Sequence, residues 1–148
     1  MPHLSGPITP WGPLINISVG VSGPRAVALA QAGQAIPQRI IAKLVVDTGA
    51  SGTALDCTIL QQLGLTPTGN IEIHTPSTPG IPHSALQYDI SILIFGANAM
   101  MPIFGLHALP VIDGQFKPQG VDGLLGRDVL GGARLTYFGS DNWYGISF

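Results

Sequence analysis

LVVDTGASGTALD, residues 44–56, decides how this chain is read. The residues leading in, RIIAKLVV (39–46), are apolar and β-branched and read as a strand. That strand runs straight into Asp47, so a carboxylate stands at a strand end in a chain of 148 residues with only 8 acidic ones. Past the turn, Thr53 and Asp56 have the spacing of a capping box, and Leu55, Ile59, Leu60 and Leu63 fall on one helical face before Gly64. This predicts a short helix packed on a sheet.

Outward from that stretch the pattern is mostly β. In LINISVGV (14–21), Ile15, Ile17 and Val19 alternate with Asn16, Ser18 and Gly20, the period of a half-buried strand. GPRAVALAQAGQAIPQ (23–38) reads as an irregular stretch and loop. IEIHTPSTPGIPHSALQYDISILIF (71–95) reads as two strands around a tip of Thr, Ser, Pro and Gly, a hairpin with roughly ten residues at its turn. Further strands are expected around Ile103, Leu109 and Val111. GLLGRDVLGG (123–132) predicts a brief helical turn stopped by Gly131 and Gly132, and ARLTYFGSDNWYGISF (133–148) a closing hairpin around residues 139–142. There is no internal repeat. The fold class is all-β with one or two short helices.

A chain this long buries about two-thirds of its unfolded surface and folds as one domain without staples. Cys57 is the only cysteine, which excludes an intramolecular disulfide and fits a reducing compartment. Charged residues make up 9% of the chain, net charge is −2, and Lys and Arg are scattered, which excludes nucleic acid as a partner. The uncharged run between Asp89 and Asp113 is broken by Gly96, Asn98, Pro102, Gly105, His107 and Pro110, so it is read as separate strands, SILIF and MMPIF among them, and not as a membrane span. MPHLSGPITPWGP (1–13) has neither the basic nor the apolar region of a secretory signal; it is set apart as a Pro-rich segment before a domain at 14–148, with a cytoplasmic location expected. Low charge in a small protein points to apolar surface buried against a partner.

Other chemistries lack their residues. His3, His74, His83 and His107 share no metal-ligand spacing, so no metal or other cofactor is expected. Without a GxSxG, Ser51 is no nucleophile elbow, and GLLGRDVLGG lacks the lysine and hydroxyl of a phosphate loop.

LVVDTGAS, followed some 75 residues later by GLLGRD, resembles the retropepsin-like aspartic proteases, the single-domain family of the retroviral proteases and their bacterial relatives. The resemblance runs from Leu14 to Phe148 in element order. It implies a closed β-barrel with a flap hairpin, active as a C2 homodimer on a polypeptide substrate. Asp47 would be the catalytic residue. Thr48 would link the two active-site loops across the dimer, Gly49 would allow the tight turn, Ala50 would complete the loop, and Leu124, Leu125 and Gly126 would pack beneath it. The hairpin at 71–94 would be the flap. Ser51, Gly52, Thr75, Ser77, Thr78 and Gly80 would meet the substrate by β-augmentation, with further specificity from the region around Leu106 to Ile112. Residues 142–148 would lie in the subunit interface, where a lone chain would expose an aggregation-prone edge.

Elementary chemistry supports the same site. Two carboxylates about 3 Å apart cannot both ionise, so one takes a proton from water while the other donates to the substrate carbonyl. The chain has one Asp-Thr-Gly, and a two-fold axis brings the second. Three departures stand out. Ser51 replaces the aspartate that pairs with the family arginine, leaving Arg127 to find Asp128 or a carbonyl. Ala50 replaces the serine of pepsin-like members, which predicts a mildly acidic optimum. The hairpin tip carries Pro76, Pro79 and Pro82. The hairpin prolines and the changed Ser51 motivate the alternative of a catalytically weak, protease-like dimer that binds extended peptides. Residues 1–13 are a candidate for a removable or cleft-occupying strand.

Overall fold

Alternating burial along β2 (Gly12–Val21) puts Ile15, Ile17 and Val19 in the core, and this strand is the seam on which a barrel closes. The computed structural model describes residues 3–74 and 80–148. β2 pairs antiparallel with β3 (Ile40–Val46) on one side and with β6 (His83–Phe95) on the other. The ring continues from β6 through β7 (Pro102–Gly114), β4 (Ala54–Asp56) and β8 (Gly123–Leu125) back to β3, giving a closed six-strand barrel. Its interior is packed with Ile17, Leu44, Leu55, Ile90, Ile92 and Leu125, and α2 (Cys57–Gln62) adds Ile59 and Leu60.

Two extensions leave the ring. β5 (Gly69–Ile73) pairs with the first half of β6, making the hairpin expected from residues 71–95. On the opposite side β1 (His3–Thr9) pairs with the start of β2 and with β10 (Trp143–Ser147), which in turn pairs with β9 (Arg134–Phe138). Residues 3–9 of the Pro-rich segment are thus hydrogen-bonded into this sheet. The last helix, α3 (Arg127–Leu130), is the brief turn expected after Gly126, and Gly131 caps it.

Four expectations change. Residues 23–31 form a regular helix, α1 (Gly23–Gln31), not an irregular stretch, so among the described residues there are three α-helices where one or two are expected. Ser22 caps it, its hydroxyl accepting from the Arg25 N–H at 3.3 Å, Pro24 lies in the first turn, and Leu29 is buried. The strands expected around Ile103, Leu109 and Val111 are one, β7, antiparallel to β6 along its length, and Met100 and Met101 of MMPIF lie exposed outside it. The helix after the Asp47 turn starts three residues later than its capping pattern suggested: Thr53 and Asp56 form no box, and Asp56 is itself the N-cap. Finally, β10 is an interior strand, with Tyr144 and Ile146 buried, and the free edge on that side is β9. Among the described residues no helix is long and apolar enough to cross a membrane, which says nothing of a β-barrel that crosses with strands.

Candidate active-site loop

Asp47 emerges where β3 stops. Val46 stands opposite Leu125 in the parallel β3–β8 ladder, and the Asp47 N–H donates to the Leu125 carbonyl at 3.0 Å. The chain then turns back on itself: Asp47 Oδ1 accepts from the Gly49 N–H at 2.9 Å and from the Ala50 N–H at 3.3 Å. Among the described residues nothing bonds Oδ2. One carboxylate oxygen is anchored and the other is free. A Cβ on residue 49 would sit 3.1 Å from Oδ1, so glycine suits the position. Thr48 and Ser51 are exposed on the turn.

Beneath the loop, β8 and α3 cross it at backbone contact. A side chain on Gly126 would bring its Cβ within 2.4 Å of the Gly52 carbonyl group, and one on Gly123 within 2.1 Å of the Ala54 oxygen. The Arg127 N–H donates to the Ala50 carbonyl at 2.9 Å. Leu124 is half-buried and Leu125 fully buried, so Leu124 to Gly126 lie against the loop that carries Asp47.

Thr53 and Asp128 lock this crossing, and neither was singled out for that role from the sequence. Asp128 accepts from the Thr53 N–H at 2.9 Å, from the Thr53 hydroxyl at 2.7 Å and from the Val129 N–H at 2.9 Å. The same hydroxyl accepts from the buried Gly126 N–H at 3.1 Å. Arg127 and Asp128 do not pair; among the described residues the one ion pair is Lys117–Asp122. Arg127 reaches the Thr48 carbonyl at 3.4 Å, so of the two expected partners it has the carbonyl. The signal for Thr53 and Asp128 lay in residue type alone, a threonine and an aspartate beside glycines 75 positions apart, which no local pattern connects.

Asp56 is the second anchor. Burial alone would raise its pKa. The Thr58 hydroxyl and the N–H groups of Lys117, Thr58 and Phe116 outweigh that and lower it from 3.8 to about 2. Its two oxygens thereby join the start of α2 to residues 116–117, with bonds of 2.7 to 3.0 Å.

The remaining site candidates lie elsewhere. Gly80 is exposed at the far end of the hairpin with φ of +82°, and no hydrogen bond among the described residues ties it to the loop at 47–52. Thr75, Ser77 and Thr78 lie outside the described residues. At the hairpin's root the Thr68 N–H donates to the Gln87 carbonyl at 2.7 Å, and Asp113 accepts from the Leu86 N–H at 2.9 Å. Two cavities among the described residues, of about 570 and 360 Å³, open beside α1 and beside β1, and none of residues 47–53 lines either. Leu106 lines the first of them.

No protein-family model matches this chain, and no curated protein matches it in sequence. Among solved structures the chain is similar to the crystal structure of a retropepsin-like aspartic protease from Rickettsia conorii. The TM-score is 0.58 and the identity 18%, over 97% of this chain and 89% of that one. The likeness is one of fold: a mostly β, closed-barrel architecture with few short helices, consistent with the retropepsin-like fold.

Proposed function

We propose that this chain is one protomer of a homodimeric aspartic endopeptidase. The observation that carries the reading is Asp47 itself. It stands at a strand end, one oxygen held by two backbone N–H groups and the other unbonded among the described residues, on a loop braced by Gly126, Arg127 and Asp128. A second Asp47 across a two-fold axis completes a pair. The ionised member takes a proton from water, the water oxygen attacks the peptide carbonyl, and the protonated member donates to the carbonyl oxygen. On collapse of the tetrahedral intermediate the leaving amine takes a proton, and the pair returns to its singly protonated state. Thr48 and Gly49 shape the loop at the axis, Ser51 and Gly52 line the floor, and the β5–β6 hairpin acts as the lid over an extended substrate.

The dimer is supported by surface chemistry. β9 offers an unpaired strand edge, and Tyr137, Phe138 and Trp143 on β9 and β10 are 59%, 46% and 44% exposed, with Phe138 opposite Trp143 in the ladder. β10 has strand partners on both sides, so its part in an interface is through side chains such as Trp143.

The test is digestion of an unfolded protein substrate between about pH 3.5 and 7, read by mass spectrometry, with wild type beside Asp47→Asn and sedimentation measured in parallel. Wild type is expected to be dimeric and to cut best at mildly acidic pH, and Asp47→Asn to cut at least about 10³-fold more slowly. Cleavage retained in Asp47→Asn overturns the mechanism. A stable dimer that binds peptide and cuts nowhere in the range replaces it with the binding module.

A further inference from the structure

The larger of the two cavities, about 570 Å³, lies between α1, the segment at 36–39, residues 91–93 of β6 and the first half of β7, well within the size range of small-molecule sites. Its wall is apolar, with Ile36, Ile103, Phe104 and Leu106 prominent. At its edge sits one cation, Arg39. The Arg39 side chain lies flat on the seam where β2 meets β6: Nε donates to the Ser18 hydroxyl at 2.8 Å, Nη1 to the Ser91 hydroxyl at 2.8 Å, and Nη2 to the Ser18 and Ser91 carbonyls at 2.8 and 3.2 Å. Gly20 makes the room, since a Cβ there would stand 2.6 Å from Nη1.

A structural role for Arg39 is plain. Ser91 lies where β7 carries an extra residue, opposite His107 and Ala108, and the guanidinium bonds the Ser91 carbonyl at this bulge. That role uses four hydrogen bonds and leaves the charge unanswered. No carboxylate pairs with Arg39 among the described residues, and desolvation lowers its pKa with no anion to offset it. The shortage is regional. The cavity is lined from residues 21–39 and 91–107, and the sequence holds no Asp or Glu before Asp47 and none between Asp89 and Asp113. His107 lies against Gly23, whose Cβ would stand 3.4 Å from it, and the first turn of α1, the positive end of that helix, supplies Gly23 and Ala26 to the wall. An apolar chamber whose polar groups are all cationic or neutral is complementary to an amphiphile with an anionic head.

We infer that this cavity is a binding site for a small amphipathic carboxylate of the fatty-acid class, its head at Arg39 and His107 and its tail against Ile36, Ile103 and Leu106. A carboxylate of this kind would gain a charge-assisted hydrogen bond and would bury its chain in one step. The site is independent of Asp47 and of the proposed proteolysis, and binding to it is measured without any assay of cleavage.

The probe is sodium decanoate below its micelle concentration, titrated into the full chain and followed by calorimetry and by methyl NMR, with 1-decanol as the uncharged control. Saturable one-to-one binding with Kd of about 10⁻⁴ M is expected, shifting the Ile36, Ile103 and Leu106 methyls, with decanol at least about tenfold weaker. Arg39→Gln should weaken decanoate about tenfold more than it weakens decanol. Ala26→Phe, which fills the chamber and leaves Arg39 alone, should abolish both. Decanoate and decanol binding equally to wild type, shifts mapping outside the cavity, or no saturable binding by about 1 mM would each overturn the inference.

Discussion

Residues 47–53 are held from below by Gly126, from the side by Arg127 and Asp128, and along the chain by the parallel ladder to Leu125. Residues 69–73, the outer strand of the hairpin, are held from one side only, by β6, and four of the five are exposed. Both segments are short; the first carries Asp47, and the second is the outer strand of the hairpin proposed as the lid. They differ in the number of independent directions from which backbone groups are satisfied. A group that must meet water and a second carboxylate at a fixed distance belongs on the first kind of support, because its geometry then costs nothing to assemble when substrate arrives. An element that must open and close belongs on the second, where few buried contacts oppose movement.

Substitutions that test this contrast differ sharply in size. Gly126→Ala drives a methyl into the Gly52 backbone, where neither side has a flexible atom to yield, and should destabilise by about 3 kcal/mol or more. Gly145→Ala, with nothing within 4 Å of the added carbon, should change stability by less than about 0.5 kcal/mol. Urea unfolding of the two variants measures the difference, and equal midpoints would mean that the loop crossing is not the tight junction described.

Asp56 sharpens the comparison through pH. Its folded-state pKa, about 2, lies below its ordinary 3.8, so the ionised form favours the fold. The stabilisation, about 2 kcal/mol, is complete above roughly pH 4 and is lost as pH falls through about 2. Asp56→Asn should therefore be less stable than wild type by about that amount at neutral pH and should converge with it in strong acid. A stability gap that is flat from neutral pH to about pH 2 would contradict the ionised anchor.

Smaller still is Thr53→Val, which keeps the shape but removes the hydroxyl between Asp128 and the buried Gly126 N–H, at an expected cost of about 1.5 kcal/mol. Its counterpart in the hairpin is Ser84→Ala, where an exposed hydroxyl bonds the Asn70 side chain, and the cost there should be within about 0.5 kcal/mol. Hydrogen exchange offers a direct readout: the Gly126 amide should be protected far more strongly than the β5 amides, and the reverse order would reject the contrast.

Much of the barrel was legible in local pattern. The alternation of residues 14–21, the apolar run into Asp47, the hairpin at 71–95, the closing hairpin and the short turn after Gly126 all stand where periodicity and punctuation put them. The failures have particular causes. α1 is hard to see in the pattern because Ala26, Ala28 and Ala30 dilute its apolar stripe, although Ser22 and Pro24 are a sound start signal. Thr53 has the pattern of a cap because capping pairs and side-chain bonds to distant backbone use the same residue types. In the candidate site, Asp47 and its glycine turn could be singled out as a local unit; the braces from Thr53 and Asp128 could not.

By itself the sequence determined the strands at 14–21 and 40–46 and the two hairpins, the place of the one Asp-Thr-Gly at a strand end, and the scarcity of charge that leaves the first 46 residues without a carboxylate. These follow from neighbours in the chain, within reach of a few bonds. Only the tertiary structure decided that Gly126 must be bare because Gly52 passes over it, that Arg127 turns to the Thr48 carbonyl and Asp128 to Thr53, that β10 is enclosed while β9 is left open, and that Arg39 lies across a bulge at the edge of an apolar chamber. Each of these is a meeting of segments tens of residues apart, settled by which backbone groups were left to satisfy once the barrel had closed.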